Sequence, residues 1–314
     1  MSANGKYAVV PAPHPAMPKA TARKGTRRVP RRVRELLGDL LSRDEAMRLI
    51  AAGEMGSARC VAVWNVDGVP VVQPISDLSV PPGWGVLPVR RIGTHRQATS
   101  SIAMYPVMRD GFRLMLLVES KLELAWVQQL DIHASVSAIH AQPFAMVWIH
   151  EQGQLFQVPD LAAVIDGNLT VFEVKPAHRA QDEWSQAKLG LMRDTLWAAG
   201  MGFRVLSDVT AQRAHNLQQI TRWRDPNPWA ADDVSAVLDV QPTSIGGIAK
   251  VVDVSAGAMS GGRGQFDVDV LRRTYVVAMH LLATGRCSTD LDAPLSLGSE
   301  LRWHLDGEPG RWWG

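Results

Sequence analysis

Two acidic side chains and one lysine in an apolar stretch have the types and spacing for chemistry. Glu173 and Lys175 stand two residues apart in NLTVFEVKP, residues 168–176, and Asp160 comes thirteen residues before Glu173. Side chains alternate along a strand, so Glu173 and Lys175 are expected on one face of it. Burying both charges without partners would be costly, and a salt bridge within one strand is a weak explanation.

The chemistry that suits this set is metal-assisted attack on a phosphate. A tight turn predicted at residues 166–168 would bring Asp160, near the start of one strand, close to Glu173 on the next. Two neighbouring carboxylates raise each other's pKa unless a cation lies between them. Mg²⁺ takes one or two carboxylates together with water and phosphate oxygens, and it lowers the pKa of bound water. Lys175 would orient that water or stabilise charge developing on the phosphate.

The elements that must position these residues form a mixed pattern. Ser120 suits a helix N-cap, with Glu123 three residues later at the capping-box spacing. Gly200 suits the C-cap of a later amphipathic helix. After a first strand, the order helix, three strands, helix, strand predicts a mixed α/β sheet. The segments are, in order, FRLMLLVES, SKLELAWVQQL, QPFAMVWIH, the two strands of DLAAVIDGNLTVFEVKP, AQDEWSQAKLGLMRDTLWAAG and FRVLSDV.

The regions on either side have their own patterns. Residues 35–100 predict a small α+β region with helices first and then a hairpin turning at Asp67-Gly68. Residues 213–314 predict a C-terminal module that is largely helical. Within it, residues 243–264 are rich in glycine and predict a linker. A helix ending at Gly285, a short strand, a turn and a further strand or helix complete the module.

Positive charge is concentrated at the N terminus. The chain has 314 residues and a formal net charge of +2, but residues 1–34 carry +9 and no acid, which leaves −7 for the rest. Such a proline-rich basic arm is expected to be flexible in isolation and to bind a polyanion by counterion release, or else to be a solvated tail. The candidate DNA contacts are Arg27, Arg28, Arg31, Arg32 and, on the helix after the FEVKP strand, Lys188.

Composition excludes several classes of protein. Apolar residues make up 46% and charged residues 20%, which is ordinary for a globular chain. No apolar run reaches the length of a membrane span, and prolines interrupt the N-terminal stretch where an export signal needs apolar residues. Cys60 and Cys287 lie far apart, which indicates reduced thiols in a cytosolic protein, and neither cysteines nor histidines show a zinc-binding spacing.

The motifs resemble, in order and flanking residues, the PD-(D/E)xK nuclease core. Within that group they are most similar to the TnsA-like endonuclease subunits of heteromeric cut-and-paste transposases. The resemblance covers about residues 105–210, and LLATGRCSTDLDAPLS is weakly similar to the family's C-terminal module. The family's catalytic helix, glutamine-containing strand, central aspartate segment and final strand with its helix are matched by ESKLELAW, AQPFAM, VPDLAAV and FEVKPAHRAQDEW.

The resemblance implies a restriction-endonuclease-like α/β domain over residues 101–212. It also implies that three carboxylates bind Mg²⁺ or Mn²⁺, that a backbone carbonyl adds a ligand and that a lysine assists the attacking water. These residues are, in that order, Glu123, Asp160 and Glu173, then Val174, then Lys175. The founding family member has glutamine at the position of Glu173, where this chain has the acid of the wider nuclease group.

Two of the implied positions have alternatives. Glu119 competes with Glu123 as the helix carboxylate. Separately, Glu123 could be only a capping-box acid. Gln142 is expected either to line the site or to satisfy a backbone group at an edge strand.

The implied activity is nicking of double-stranded DNA at transposon ends, on the 5′, non-transferred strand. A partner transposase of the RNase H-like class would cut and join the 3′ strand, and the winged-type C-terminal module would dock on an AAA+ ATPase regulator. The protein would act in the cytoplasm, at the nucleoid, without a membrane. The alternatives are a stand-alone repair, resolvase or restriction nuclease on the same core, and a catalytically silent DNA-binding adaptor subunit.

Overall fold

A computed structural model gives the fold and describes most of the chain. Residues 8–9, 31–80, 86–90, 102–109, 112–225, 230–255 and 267–304 are described. The predicted DNA contacts Arg27 and Arg28 lie outside these residues, and Arg31 and Arg32 are described only in their backbone. The chain forms two compact units. Unit 1 comprises Met1–Leu124 and Ser137–Asp208, and unit 2 comprises Ala125–Val136 and Val209–Gly314.

The described residues include both strands and helices. The strands are β1 Ala8–Val9, β2 Arg59–Val66, β3 Val69–Pro74, β4 Val86–Leu87, β5 Ala103–Arg109, β6 Phe112–Val118, β7 Val136–Ala141, β8 Phe144–His150, β9 Gly153–Gln157, β10 Leu161–Ile165, β11 Asn168–Val174, β12 Gly202–Leu206, β13 Cys287–Ser288 and β14 Arg302–Trp303. The helices are α1 Arg31–Arg34, α2 Arg43–Ala51, α3 Glu54–Ser57, α4 Lys121–Asp131, α5 Ala177–Ala180, α6 Glu183–Ala198, α7 Ala211–Ile220, α8 Ala231–Val240, α9 Ile245–Ser255 and α10 Val268–Ala283.

The first sheet of unit 1 has the order β1-β3-β2-β8-β9, with β4 also paired to β2. Asp67 and Gly68 both have positive φ, 50° and 79°, which is the geometry of the predicted hairpin turn between β2 and β3. Strand β2 pairs antiparallel with β8 along its length, and the rings of Trp64 and Phe144 lie 4.8 Å apart. Strands β2, β3 and β4 therefore share a sheet with β8 and β9 of the predicted nuclease region, and unit 1 includes residues on both sides of residue 100.

The second sheet of unit 1 holds the predicted acidic strands and has the order β12-β11-β10-β7. Strands β10 and β11 are antiparallel and are joined by Asp166 and Gly167, with φ of 49° and 78°. This confirms the tight turn predicted from the sequence. Strand β12 adds in parallel to β11, so the sheet is mixed and the expected α/β class is confirmed. Strands β5 and β6 form a separate antiparallel pair.

Helix α6 covers part of the unit 1 core, as its amphipathic pattern predicts. Asp182 caps its start by accepting a hydrogen bond from the Ser185 N–H at 3.1 Å. Gly200, with φ of 76°, follows its end in the left-handed conformation that favours glycine. Leu189 and Met192 are buried among residues of the first sheet and of helix α2. This packing fixes the position of α6, which follows the acidic strand β11 and the short helix α5 in the chain.

Unit 2 is largely helical, and one prediction for it is wrong. The expected glycine-rich linker is helix α9 over Ile245–Ser255, because Ile248 and Val252 recur at helical spacing and are buried. The Ser244 hydroxyl accepts a hydrogen bond from the Gly247 N–H at 3.1 Å, as an N-cap does. Gly246 is needed for packing, since a Cβ there would lie 2.9 Å from a backbone oxygen. Residues 256–264 of the expected linker lie outside the described residues.

The remainder of unit 2 follows the predicted pattern. Helix α10 ends before Gly285, which has a φ of 69°. Strands β13 and β14 form a short antiparallel pair, with Cys287 opposite Trp303. Unit 2 also includes Ala125–Val136, so it is larger than the C-terminal module expected over 213–314.

Two predictions from composition concern thiols and membranes. Cys60 and Cys287 are both free and buried, and burial raises the pKa of each thiol to about 12. Neither is a reactive thiolate at neutral pH. Of the helices described, none is both long enough and apolar enough to cross a bilayer.

Candidate functional site

Asp160 is held by backbone groups at the open end of the β10–β11 hairpin. The hairpin register places it directly before the first paired residue of β10, beside Glu173. Its Oδ2 accepts a hydrogen bond from the Val174 N–H at 2.8 Å. Its carbonyl oxygen accepts another from the Gln142 N–H, also at 2.8 Å. The position of this carboxylate is therefore set by the fold on two sides.

Glu173 lies on the same sheet and is only 3% exposed. Its Oε1 accepts a hydrogen bond from Gln157 Nε2 at 3.1 Å and forms an ion pair with the Lys175 ammonium group. Its Oε2 is buried and has no hydrogen-bond partner within the part of the chain that the structure describes. A buried carboxylate oxygen without a donor or cation is destabilising. A positive partner would therefore stabilise Glu173 Oε2.

Lys175 shares the face of Glu173, as strand alternation predicts. Its backbone N–H donates to the Leu206 carbonyl at 2.8 Å and so continues the pairing of β11 with β12 by one residue. Its side chain is about one-fifth exposed. The ammonium group can therefore reach Glu173 on one side and water or a ligand on the other.

Glu123 lies in the first turn of α4 and is 7% exposed. Ser120 caps the helix as predicted, since its Oγ accepts from the Glu123 N–H at 3.0 Å. The Glu123 carboxylate accepts from the Ser120 hydroxyl at 3.0 Å and from the Glu119 N–H at 2.8 Å. These are the contacts of a capping acid, which is one of the two predicted roles. Each carboxylate oxygen retains a lone pair, so the contacts are also compatible with metal binding.

We call Glu123, Asp160 and Glu173 the acid cluster. The three carboxyl groups lie close enough together for their charges to affect the pKa of Asp160. The pKa of Asp160 is raised well above its usual value, first by burial and then by the negative charges of Glu173 and Glu123. The pKa of Glu123 is raised as well, mainly by burial and also by the charge of Glu119. Burial and the neighbouring negative charges therefore disfavour the ionised forms of both groups. A divalent cation among them would favour the ionised forms.

The donor set can be compared with the metal that the sequence predicts. No group of three or more His, Cys, Asp or Glu side chains in the described residues is arranged to hold a metal ion as it stands. The acid cluster nevertheless supplies carboxylate oxygens only, which are the ligands of Mg²⁺ and Mn²⁺. Glu173 Oε2, buried and without a donor, is the observation on which this chemical fit stands. The predicted ligand role of the Val174 carbonyl stays a prediction.

Lys188, predicted as a DNA contact, is directed to the acid cluster. Its ammonium group donates to Gln157 Oε1 at 2.7 Å, and Gln157 in turn donates to Glu173. Burial lowers the pKa of Lys188, and its ammonium group lies 5.3 Å from the centre of the Trp184 ring. Sequence reasoning missed Gln157, because a lone glutamine at the end of a strand carries no signal of its own.

Arg90 is a further cation beside the acid cluster, in addition to Lys175 and Lys188, and the sequence did not single it out. Its Nη1 lies 3.4 Å from Glu119 Oε2. Its positive charge lowers the pKa of both Asp160 and Glu123, although burial and nearby carboxylates outweigh it. Residues 35–100, whose role the sequence left open, thus contribute a charged group to this site.

Gln142 lies at the turn between β7 and β8 with a φ of 49°. Its backbone N–H donates to Asp160, and its carbonyl accepts from the Val89 N–H at 2.9 Å. Its side chain is buried, and neither its oxygen nor its nitrogen has a partner among the residues described. The main chain of Gln142, not its side chain, satisfies the neighbouring backbone groups. The prediction that its side chain lines the site stays open.

The four predicted catalytic residues thus lie in one neighbourhood of unit 1, together with Arg90 and Lys188. The grouping combines closely spaced carboxylates, a lysine with partial access to solvent and two further cations. No protein-family model matches the chain, and a comparison with curated proteins found no match. The functional argument therefore stands on the geometry and on the motifs themselves.

Proposed function

We propose that the chain is a metal-dependent DNA endonuclease subunit of a cut-and-paste transposase. It nicks the 5′, non-transferred strand at transposon ends. The observation that carries this proposal is Glu173, whose Oε2 is buried without a donor while its Oε1 binds Lys175, next to an Asp160 of raised pKa. Carboxylates crowded in this way are stable at neutral pH when a divalent cation lies among them.

In this proposal the three carboxylates hold the metal and Lys175 serves the nucleophile. Glu123, Asp160 and Glu173, with the Val174 carbonyl, are the ligands. The bound Mg²⁺ or Mn²⁺ would polarise the scissile phosphate and lower the pKa of a bound water. Lys175 donates a hydrogen bond that orients the attacking water. Its charge also stabilises the oxygens of the phosphate as negative charge develops there.

Neighbouring residues keep these groups in place. The Val174 N–H orients Asp160, and the Ser120 hydroxyl and the Glu119 N–H orient Glu123. Lys188 donates a hydrogen bond to Gln157, and Gln157 donates one to Glu173 and so orients it. Such fixed contacts reduce the reorganisation that the site needs when substrate binds.

The partners follow from the same motif order. The chain would act on double-stranded DNA in the cytoplasm, with an RNase H-like transposase that cuts and joins the 3′ strand. In this scheme residues 101–212 are the restriction-endonuclease-like core. The winged-type C-terminal module contacts an AAA+ ATPase regulator, and the basic arm with Arg27, Arg28, Arg31 and Arg32 contacts phosphates.

The test is a strand-specific nicking assay with the reconstituted partners. A supercoiled plasmid carrying both element ends is incubated with the full chain, the transposase, the ATPase and Mg²⁺, and 5′ and 3′ nicks are mapped separately. We expect Asp160→Asn to abolish the 5′ nick and leave the 3′ cut. Asp194→Asn, which changes an exposed acid on α6, serves as the matched control and should nick normally.

Other outcomes point to the alternatives. Nicking by the chain alone, without any transposase, would favour a stand-alone nuclease. Transposition that survives Asp160→Asn and Lys175→Ala, with 5′ nicks still formed, would indicate an adaptor subunit and overturn the proposal.

A further inference from the structure

Arg90 reaches the acid cluster from the bend that follows β4, far from Asp160 and Glu173 in sequence. Val89, the residue before it, is fully buried and donates its N–H to the carbonyl of Gln142 at 2.9 Å. Gln142 in turn donates its own N–H to the carbonyl of Asp160 at 2.8 Å. Two consecutive backbone hydrogen bonds therefore tie the segment ending at Arg90 to the segment that carries Asp160. The fold, not a long mobile side chain alone, brings this guanidinium to the site.

The contact between Arg90 and Glu119 is a single, long ion pair. It is a single approach of 3.4 Å, and the two side chains are 22% and 17% exposed. A separation of 3.4 Å is long for a charge-assisted hydrogen bond, although both side chains are largely buried. In unit 2, by contrast, Arg273 binds Asp233 through two nitrogens at 2.8 and 2.5 Å. With one long contact to the described residues, the Arg90 guanidinium has N–H donors that can bind a planar or tetrahedral anion.

The charges around the cluster also favour an anion at this place. With every group ionised, as a bound cation favours, four carboxylates and three cations sum to −1 before the metal is counted; they are Glu119, Glu123, Asp160 and Glu173 with Arg90, Lys175 and Lys188. A divalent cation brings this sum to +1. A single phosphodiester would then neutralise it, and Arg90 is the cation whose fixed fork matches phosphate oxygens.

We propose that Arg90 binds a phosphate group of the DNA backbone at the acid cluster, and that Glu119 holds the guanidinium in place until DNA arrives. This inference rests on the proposed function and adds a substrate-contacting residue to it. It assigns Glu119 a positioning role and not a metal-binding one. It also assigns a role to the region before the predicted nuclease core, because Arg90 lies in that region.

The first test compares DNA binding by Arg90 variants in Ca²⁺, which supports binding in place of Mg²⁺ without rapid cleavage. Fluorescence anisotropy with a duplex of the element end should show affinity weakened roughly 10- to 100-fold in Arg90→Ala, since a hydrogen bond to a charged group is lost. Arg90→Lys should lie between this variant and wild type. Arg48→Ala, which alters another exposed arginine of unit 1 with one polar partner, should bind normally.

The second test locates the phosphate. Duplexes that each carry one neutral methylphosphonate are titrated with wild type and Arg90→Ala. One position should weaken wild-type binding but leave Arg90→Ala unaffected, because the contact is already missing. Calorimetry on DNA-free protein should show Ca²⁺ binding severalfold tighter in Arg90→Ala, since a cation next to the carboxylates has been removed. A residue with only a structural role would not produce these opposite changes.

The outcomes separate the two proposals. Wild type that nicks DNA while Arg90→Ala binds and nicks equally well would overturn the role of Arg90 alone. Equal sensitivity of both proteins to every methylphosphonate would overturn it too. A wild type that never nicks, whatever its partners and metal, would overturn the proposed function and this inference together.

Discussion

Units 1 and 2 both bury carboxylates, but they balance the charge in different ways. In unit 2, Asp233 is 1% exposed and is bound by two nitrogens of Arg273. Asp131 is equally buried and forms an ion pair with Arg224, which also donates to its backbone carbonyl at 2.6 Å. Each buried acid of this kind has its own arginine. Such pairs are structural, because one guanidinium group balances the charge of each buried carboxylate.

Unit 1 instead gathers its buried acids in one place. Asp160 lies next to Glu173 and Glu123, and their charges raise its pKa. Glu173 keeps one buried oxygen without a partner in the described chain although Lys175 binds the other. The comparison teaches that burial of an acid is not in itself a functional signal. A functional signal is a surplus of buried acids with an unsatisfied oxygen, because such a group indicates a cation that the protein itself does not supply.

The largest expected effect concerns Lys175. Lys175→Ala should lower the rate of the 5′ nick on the order of 10²- to 10⁴-fold, because it removes the residue proposed to orient the attacking water. The assay is single-turnover nicking of the plasmid in Mg²⁺. Lys250→Ala, an exposed lysine on α9, is the control and should match wild type. Undiminished nicking by a folded Lys175→Ala protein would remove Lys175 from the mechanism.

In unit 2, Arg273→Ala should destabilise the protein by about 3–5 kcal/mol, because it leaves the buried Asp233 without a partner. Thermal unfolding followed by circular dichroism gives the change in Tm. Arg272→Ala removes an exposed neighbour on the same helix and should change Tm little. Similar, small shifts in both variants would show that the pair in unit 2 is not structural.

Divalent cations should stabilise wild type through unit 1. At about 100 times its Kd, Ca²⁺ should add roughly 2.7 kcal/mol to the free energy of unfolding by mass action. Asp160→Asn should lose most of this gain, while Arg273→Lys, which alters unit 2, should retain it. Equal stabilisation of wild type and Asp160→Asn would place the Ca²⁺ elsewhere.

The smallest expected effect is a change in the stability of the metal-free protein when Asp160 is replaced. A carboxyl whose folded pKa is raised gives stability at low pH that is lost as the pH rises through that folded pKa. Asp160→Asn lacks this loss and keeps an oxygen for the Val174 N–H. We expect its Tm to exceed that of wild type at neutral pH by roughly 2–4 °C, for about 1 kcal/mol.

The difference in Tm should shrink toward zero as the pH falls to about 4, the ordinary pKa of an aspartate. Melting curves across pH 4 to 8 with a chelator present provide the measurement. A variant less stable than wild type at every pH would mean that Asp160 is satisfied without metal.

Much of unit 1 was predictable because its signals are local. Asp67-Gly68 and Asp166-Gly167 specify tight turns by their ability to adopt positive φ, and the structure has both. Once the second turn is placed, strand alternation brings Asp160 near Glu173 and sets Lys175 on the same face. Ser120 is likewise a local signal, because a serine at this spacing from Glu123 predicts the N-cap of α4.

The rest depended on contacts between distant residues. The pairing of β2 with β8 is determined by burial of large side chains such as Trp64, and no local pattern encodes it. Arg90 reaches the acid cluster through that distant segment. Helix α9 was missed for a different reason. The glycines of that segment were given more weight than the spacing of Ile248 and Val252, and packing against Gly246 overrides its low helix propensity.

The central claim is that the acid cluster binds the divalent ion used for DNA cleavage. The most direct measurement is anomalous diffraction from crystals of the full chain grown with Mn²⁺ and a duplex of the element end. The account predicts an anomalous peak within about 2.2 Å of carboxylate oxygens of Asp160 and Glu173, absent in Asp160→Asn crystals. Mn²⁺ bound elsewhere, with none at the acid cluster at a concentration that supports nicking, would contradict it.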